Sequence, residues 1–470
     1  MNIEQILNSS VDKFKQNIVD FCKNSSQEDF SFTKAIEFIS FLKGELQTVG
    51  QQAIQTYFEG QDIEQASIKV DNKKYIFKYK GEKEILTVLG KVRFNRSVYQ
   101  QSRGGQSISP LDVKLGVNKE FATPDVKEIV LYSCAHNTPE ETSKIIGKCS
   151  LFEIHPTTVK RIINQTGEFL EANKDEINSM LHKSPEQKNQ EGEVVVCSLD
   201  GVNVLLSEAG TRKGRPKERP DKEAPTSVSA YKNAMCGSVT FYNIARDHEK
   251  PYPERILSRY VSRMPEERYQ TFKSDFETEI KSINYSGTKV KIMLTDAHRS
   301  IMGYLNENPL YEDFERLIDF FHAAEHLSLL AENIFGKSSK EAQAWYSKYR
   351  EILKHDNCGA DKMIRSAEYY IGESKLTKTR RAEAQKQLSY FRKNKQYMDY
   401  HRFLKNGWPI GSGIIEAACK SIVKQRMCRS GQRWTRKGGQ TILTLRSHVK
   451  SNRWNTFWKS YSDINYRVCA

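Results

Sequence analysis

Two strand-forming segments of the sequence each carry a single aspartate. Asp200 interrupts VVVCSLDGVNVLL (194–206), and Asp296 follows the apolar run of VKIMLTDAH (290–298). A carboxylate in or beside a buried strand is costly unless a positive group meets it. If the two strands are neighbours, their carboxylates repel each other unless divalent cations bind between them, and hard oxygen ligands favour Mg²⁺ or Mn²⁺. The pattern therefore predicts a metal site.

A third acidic residue follows a glycine-containing turn in GWPIGSGIIEAACKSIVKQRM (407–427). Gly411 and Gly413 allow a close approach of the backbone before a predicted helix. Glu416 lies in the first turn of this helix, where the helix dipole stabilises a carboxylate. This segment can therefore supply the acid that completes the site.

Two lysines, Lys420 and Lys424, follow Glu416 at four-residue steps. Residues four apart share a helix face, so the acid is followed by cations able to hold phosphates. Each acid alone has a structural explanation, because Asp200 can end a strand, Asp296 can cap a helix and Glu416 can be a plain first-turn acid. Their joint occurrence favours catalytic, metal-binding roles for all three.

The elements that must position these acids follow in the order strand, strands, helix, strand, strand. The segments are 194–206, 234–244, 265–283, 290–298 and 314–320. This is the order of an RNase H-like mixed sheet, whose first and fourth strands lie side by side with their carboxylates facing each other. The sequence therefore predicts that Asp200 and Asp296 share a site.

The residues before this domain predict two further modules. In residues 1–60, apolar residues recur every three or four positions, which predicts two amphipathic helices. Such a pair can dimerise the chain or pack within it, and the sequence leaves both open. In residues 61–122, short runs that alternate apolar and polar residues predict a small β module.

Residues 123–190 have the outline of a helix-turn-helix followed by a linker. Thr138 and Glu141 form a capping signal for one helix, and a second helix begins near Pro156. A recognition helix of this kind places its N-terminal part in the major groove of DNA. The predicted DNA contacts are Thr158, Lys160, Arg161 and Asn164. A plain helical connector is the alternative interpretation.

The charge of the chain also indicates a polyanionic partner. Lys and Arg outnumber Asp and Glu by 73 to 58, a formal net charge of +15. No acidic residue occurs in 417–462, where tryptophans alternate with cations in a manner suited to nucleic acid. The predicted contacts here are Lys420, Lys424, Arg426, Arg429, Arg433 and Trp434. A solvated face with structural tryptophans is the alternative.

A second basic segment, TRKGRPKERPDKE (211–223), follows the first strand of the predicted domain. It predicts a mobile DNA-contacting loop with Lys213, Arg215 and Lys217, and the alternative is a disordered insertion.

Nine cysteines are scattered without a CxxC pair, so neither a disulfide framework nor a zinc ribbon is indicated. The N-terminus has no signal-peptide pattern, and no apolar run approaches membrane-spanning length. We therefore expect a cytoplasmic, nucleoid-associated protein without a membrane partner.

Several of these segments together resemble the ISKra-type transposases of bacterial insertion sequences. The resemblance is carried by SLDGV around Asp200, LTDAH around Asp296, DFFHAAEHL (319–327) and the long block from Tyr400 to Ser447. It extends from about residue 92 to residue 458 and is weakest before residue 192. It implies a multidomain α+β protein whose RNase H-like domain (191–322 and 406–470) is interrupted by an all-helical insertion at 323–405.

The resemblance also implies an active site. The acids Asp200, Asp296 and Glu416 would be a DDE triad that holds two Mg²⁺ ions, with Mn²⁺ as a substitute. The family is akin to Mutator-type and hAT-type transposases, which share a motif that Asp319 and His322 fit. These two residues would shape the active site and contact the strand near the cut, whereas a core-facing His322 is the alternative. Related chains often carry a Cys-rich knuckle near YQQSRGGQS, and those cysteines are absent here.

The implied activity is strand cleavage at the terminal inverted repeats of a mobile element, followed by strand transfer into target DNA. Both steps are in-line attacks on phosphodiesters. The partners would be double-stranded DNA and a second copy of the chain, since two element ends must be handled together. Two other functions stay open: a structure-specific nuclease of the same fold, and a non-catalytic DNA-binding protein derived from a transposase.

Overall fold

A computed structural model of the chain describes residues 3–25, 31–70, 72–101, 105–118, 120–188, 191–207, 211–212, 228–245, 252–373 and 376–466. The chain divides into two units, Met1–Ile177 with Asn455–Ala470, and Asn178–Trp454.

The described helices and strands are numbered in chain order. The helices are α1 Ile3–Lys23, α2 Phe32–Gly60, α3 Pro110–Lys114, α4 Pro124–His136, α5 Pro139–Cys149, α6 Pro156–Ala172, α7 Lys174–Lys183, α8 Pro185–Lys188, α9 Gln270–Lys281, α10 Arg299–Glu307, α11 Phe320–Phe335, α12 Lys340–His355, α13 Gly359–Glu373, α14 Lys378–Asn394, α15 Tyr400–Lys405, α16 Gly413–Ala418, α17 Gln425–Met427, α18 Arg436–Lys450 and α19 Trp454–Asn465. The strands are β1 Ser67–Val70, β2 Lys73–Thr87, β3 Gly90–Gln100, β4 Ser107–Ile108, β5 Val194–Leu205, β6 Thr211–Arg212, β7 Val228–Ser229, β8 Tyr231–Asn243, β9 Glu254–Arg263, β10 Val290–Thr295 and β11 Glu315–Ile318.

The first unit contains the predicted N-terminal helices, a four-stranded sheet and the three helices α4 to α6. The sheet has the order β1-β2-β3-β4, and its core includes Ile85, Val92 and Phe94. The capping signal before α5 is confirmed, because the Thr138 side chain accepts from the Glu141 amide and the Glu141 side chain accepts from the Thr138 amide.

The second unit is built around a five-stranded mixed sheet with the order β11-β10-β5-β8-β9. The central strand β5 pairs parallel with β10 and antiparallel with β8. Beyond these, β11 is parallel to β10, and β9 is antiparallel to β8. The expectation of a mixed α+β protein is therefore confirmed.

The strand β9 was not assigned from the sequence because its charged residues hide the apolar alternation. Arg259 and Arg263 lie inside this strand, and both are buried. Arg259 pairs with Glu279 at 3.2 Å and Arg263 pairs with Asp275 at 2.6 Å. Buried cations that are paired are tolerated in a strand, although a pattern of hydrophobicity does not reveal them.

The two faces of the sheet have separate cores. Val195 and Cys197 face one core with Phe272 and Phe276 of α9. Val194, Val196, Ile292 and Leu294 face the other core, which is formed largely by helices α11 to α15. Because side chains alternate along a strand, Asp200 shares the face of Val194 and Val196. The face of the sheet that carries Asp200 is therefore the one covered by the helical segment.

Among the described residues, no helix is both long and apolar enough to cross a membrane.

Candidate active site

The pairing of β5 with β10 is the nearest link between two of the predicted acids. The last paired residues of the two parallel strands are Cys197 and Met293. Asp200 lies three residues further along β5, and Asp296, three residues after Met293, follows the last residue of β10. Both aspartates therefore come after the paired part of the two strands.

Asp296 begins an unusual turn at the end of β10. Its Oδ1 accepts a hydrogen bond from the His298 amide at 3.2 Å. Between them, Ala297 has a φ of 61°, the left-handed region that L residues other than glycine rarely adopt. Such backbone strain clusters at active sites, where the surrounding structure must hold it in place.

Asp200 is held by its neighbours on both sides. Its Oδ1 accepts from the Gly201 amide at 2.6 Å, and its partner across the ladder on β8 is Cys236. The buried Cys419 thiol interacts with Cys236 and Asp200. The interaction with Cys236, burial and the charge of Asp200 all raise the pKa of Cys419.

Glu416 lies on α16, and its side chain is exposed. The Ser412 hydroxyl donates to its Oε1 at 3.3 Å. The chain leaves α16 directly into the segment that contains Cys419. Glu416 is therefore only one helical turn from a residue that touches Asp200.

Asp319 ties the Asp296 and Glu416 segments together. It is 1% exposed and is the N-cap of α11, where its Oδ1 accepts from the His322 amide at 2.6 Å. Its Oδ2 accepts from the Ser412 amide, and its own amide donates to the Thr295 carbonyl at 2.9 Å. Asp319 thus holds the backbone of both segments, through its carboxylate at Ser412 and through its own amide at Thr295.

His322 is accessible, in contrast to the alternative of a core-facing side chain. Its side chain is 37% exposed, and Nδ1 lies 3.8 Å from Glu325 Oε2. The ring packs edge-on against His326, with 4.9 Å between centroids. This position leaves the imidazole able to meet a ligand from solvent.

A π-helical segment, Cys419–Lys424, follows α16. The buried guanidinium of Arg446 donates to the Ile422 carbonyl at 2.6 Å and to the Ser421 carbonyl. Burial lowers the pKa of Arg446 to about 10, which still leaves it cationic at neutral pH. Short π segments occur frequently at functional sites, where they shift the register of side chains along a helix. The sequence does not predict this π-helical segment, because six residues are too few to distinguish it from an α-helix.

The predicted contacts of α6 lie mostly on its surface. Lys160, Arg161 and Asn164 are exposed, whereas Thr158 is half-buried. Lys160 pairs with Glu140 at 3.0 Å, and the Arg161 guanidinium lies 3.4 Å from the centre of the Phe121 ring.

The predicted contacts after Glu416 fall into two groups. Lys420, Lys424 and Arg433 are exposed, and Arg429 is half-buried. Arg426 is 2% exposed and lies 4.9 Å from the centre of the Trp434 ring, so these two residues pack on each other. Lys213, Arg215 and Lys217 lie outside the described residues.

In the described ranges, no three His, Cys, Asp or Glu side chains are gathered closely enough to hold one metal ion. The two aspartates follow the paired part of β5 and β10, whereas Glu416 is exposed on a separate helix. Comparison with known proteins adds no relative: no protein-family model and no curated protein matches the chain.

Proposed function

We propose that this chain is a DNA transposase of the DDE type. The observation that carries the proposal is the placement of Asp200 and Asp296, each three residues beyond the last paired residues of two neighbouring parallel strands. The second support is Glu416, which lies three residues before Cys419, a residue that interacts with Asp200. The proposal assigns these three acids, from distant parts of the sequence, to one metal site.

The topology of the sheet agrees with an RNase H-like fold. Its first three strands in the chain, β5, β8 and β9, are antiparallel neighbours, while β10 and β11 continue on the other side of β5 in parallel. The helical segment between β11 and α16 interrupts this domain where the resemblance to ISKra-type transposases places an insertion. Fold and sequence resemblance therefore favour the same class of enzyme.

The donor chemistry of the three acids fits Mg²⁺, which prefers carboxylate oxygens. Asp200, Asp296 and Glu416 would hold the ions. When bound, two ions activate the attacking oxygen and stabilise the leaving oxygen.

The residues of the chain then have distinct tasks. Cys419 holds the Asp200 carboxylate, and Asp319 holds the segments of Asp296 and Glu416. Lys420 and Lys424 are exposed beyond Glu416, where their ammonium groups can hold the phosphates of the bound strand.

The reaction consists of two displacements at phosphorus. In the first, water attacks the phosphodiester at the element end, and the bond from phosphorus to the 3′ oxygen breaks with a proton passing to that oxygen. In the second, the new 3′ hydroxyl attacks a target phosphodiester and displaces the 3′ oxygen of the target strand. Neither step consumes ATP or forms a covalent bond to the protein.

The partners in this proposal are double-stranded DNA and a second copy of the chain, and the site of action is the nucleoid. Two element ends must be joined to one target, so we expect at least a homodimer.

The test is Mg²⁺-dependent cleavage of a labelled duplex that joins the end of the element to flanking DNA. Wild type would be compared with Asp296→Asn, Glu416→Gln and the matched control Glu341→Gln, an exposed glutamate in the first turn of α12. We expect wild type and the control to cut at the element end, while the two site variants bind the duplex and do not cut.

The same assay separates the alternatives. Cutting at branched or mismatched DNA without preference for the element end would favour a structure-specific nuclease. Binding without cutting by wild type, with every end tried, would leave a non-catalytic DNA-binding protein and overturn the proposal.

A further inference from the structure

Two lysines lie directly opposite each other in the sheet of the first unit. The register of β1 and β2 pairs Lys69 with Lys74. Partners of this kind share a face of the sheet, with their Cβ atoms about 5 Å apart. Both lysines are exposed, and neither pairs with an acid in the described part of the chain. Like charges in this arrangement destabilise a sheet, and an anion bound between them would remove the repulsion.

The surrounding strand residues are cationic as well. β1 and residues 73–80 of β2 together contain five lysines and no acid, namely Lys69, Lys73, Lys74, Lys78 and Lys80. Lys80 forms an ion pair with Glu64, whereas Asp71, in the turn between the strands, lies outside the described residues. This end of the sheet is therefore suited to an anionic ligand.

A β-bulge adds an aromatic ring to the face of the lysine pair. Ile76 pairs with Gln100 and Tyr79 pairs with Val98, with a shift of register between the two pairs. Gln100 and Val98 are two residues apart on β3 and share a face, so their partners Ile76 and Tyr79 share it too. In a regular strand Tyr79 would lie on the opposite face, and bulges are known to re-aim side chains in this way.

The ring of Tyr79 is held by the sheet and is still accessible. It lies against Gly81, where a Cβ atom would come within 2.7 Å of the ring, so this position of the ring depends on the glycine. Tyr79 is 51% exposed, and Ile76, between the ring and Lys74 on the same face, is 55% exposed. The face thus carries two opposed cations at one end and an exposed ring at the other.

We propose that this face binds a single strand of DNA, with Lys69 and Lys74 on its phosphates and Tyr79 stacked on an unpaired base. Cations that follow the backbone and a ring on which a base stacks are the two components of single-strand binding. At roughly 3.3 Å per residue, Lys74 and Tyr79 are about 15 Å apart along β2, so they contact different nucleotides of one strand. The bases of a duplex are stacked on each other, so a duplex would not use the ring.

This inference goes beyond the proposed function, because it concerns a second DNA-binding surface and not the metal site. Its first test is fluorescence anisotropy of the full chain with a labelled thymidine oligonucleotide and with a duplex of the same length. Tyr79→Leu removes the ring and keeps an apolar side chain. The matched control is Tyr57→Leu, because Tyr57 is 63% exposed on α2 in the same unit.

Stacking on one aromatic side chain strengthens single-strand binding by a factor of ~5 to 100, so we expect Tyr79→Leu to lose that factor. Its affinity for the duplex should not change, and Tyr57→Leu should match wild type with both probes. Equal single-strand affinities of wild type and Tyr79→Leu, or equal losses for the two probes, would overturn the inference.

Photocrosslinking gives a readout that a structural role of Tyr79 would not produce. A single strand that carries iododeoxyuridine is irradiated on the protein, and the modified residue is identified by mass spectrometry. We expect the crosslink at Tyr79 in wild type and in Tyr57→Leu. Crosslinks confined to other parts of the chain would contradict the proposed contact.

The lysine pair is tested by the dependence of single-strand binding on salt. Each phosphate contact contributes about 0.7 to the slope of log affinity against log salt, so Lys69→Gln, Lys74→Gln together should lower it by about 1.4. The control pair Lys13→Gln, Lys15→Gln removes the same charge from α1 and should leave the slope unchanged. An equal slope change in both double variants would overturn the assignment of the phosphates to this face. Failure of wild type to cut any element end would overturn the proposed function alone, because none of these measurements depends on cleavage.

Discussion

At the scale of single residues, Asp319 shows what a buried carboxylate contributes beside the proposed site. One oxygen caps α11 through the His322 amide, and the other holds the Ser412 amide. Two acceptors on one buried side chain are required, and only a carboxylate has them. Asp319 therefore both caps α11 and holds the backbone just before α16.

Asp319→Asn should weaken the protein as well as the site. Asn caps a helix as well as Asp does, but its amide nitrogen cannot accept, so one of the two amides loses its partner. We expect the free energy of unfolding to fall by about 1–3 kcal/mol, measured by urea denaturation, and cleavage to fall with it.

The matched control is Asp399→Asn, because Asp399 is the exposed N-cap of α15 and accepts one amide bond, from Arg402 at 3.2 Å. Its stability should stay within about 0.5 kcal/mol of wild type, as is usual for surface positions. Equal losses of the free energy of unfolding in the two variants would show that the second hydrogen bond accepted by Asp319 does not stabilise the protein.

Sequence patterns identified individual acids better than their partners. Asp200 stands out because it interrupts an apolar strand, and Asp296 because it directly follows one. Cys419 does not stand out, because it lies in an ordinary helical pattern and its interaction with Asp200 depends on tertiary packing. That interaction is visible only in the structure.

At the scale of elements, the π-helical segment after Glu416 depends on one side chain from another helix. Arg446 of α18 donates to two carbonyls of this segment, those of Ser421 and Ile422. An apolar strand pattern predicted most of the sheet, but neither this segment nor β9 could be predicted from hydrophobicity. Buried arginines stabilise both elements: Arg446 donates to carbonyls of the π-helical segment, and Arg259 and Arg263 form ion pairs from β9. The partners of these arginines are distant in the sequence, so a local pattern does not reveal them.

Arg446→Met should destabilise this segment. The change removes two hydrogen bonds from a charged donor to backbone carbonyls, at about 1.5–3 kcal/mol each, and the lost cost of burying a charge offsets part of this. We expect a loss of about 2–4 kcal/mol in the free energy of unfolding, measured by urea denaturation, together with weaker cleavage.

Lys450→Met, an exposed change in the last turn of the same helix, is the control and should stay within about 0.5 kcal/mol of wild type. If the free energy of unfolding of Arg446→Met equalled that of Lys450→Met, the two hydrogen bonds of Arg446 would not stabilise the π-helical segment.

At the scale of the whole molecule, the basic C-terminal stretch is less cationic on its surface than its composition indicates. Arg426, Arg446 and Arg453 are all buried. Arg453 donates to both carboxylate oxygens of Glu279, at 3.0 and 2.7 Å. The α+β class was predictable from the sequence, whereas the division of these cations between interior and surface was not, because a buried arginine and an exposed one look alike in a sequence.

The exposed cations should determine how DNA binding responds to salt. Each lysine that neutralises a phosphate releases counterions, which contributes about 0.9 to the slope of log affinity against log salt. If Lys420 and Lys424 contact phosphates, the double change Lys420→Gln, Lys424→Gln should lower that slope by about 2 and weaken binding to all duplexes alike. Fluorescence anisotropy with an element end and an unrelated duplex measures both effects.

The pair Lys13→Gln, Lys15→Gln removes the same charge from the exposed surface of α1 and controls for net charge. An equal change of slope in both double variants would mean that overall charge, not a phosphate-binding face beside Glu416, attracts the DNA.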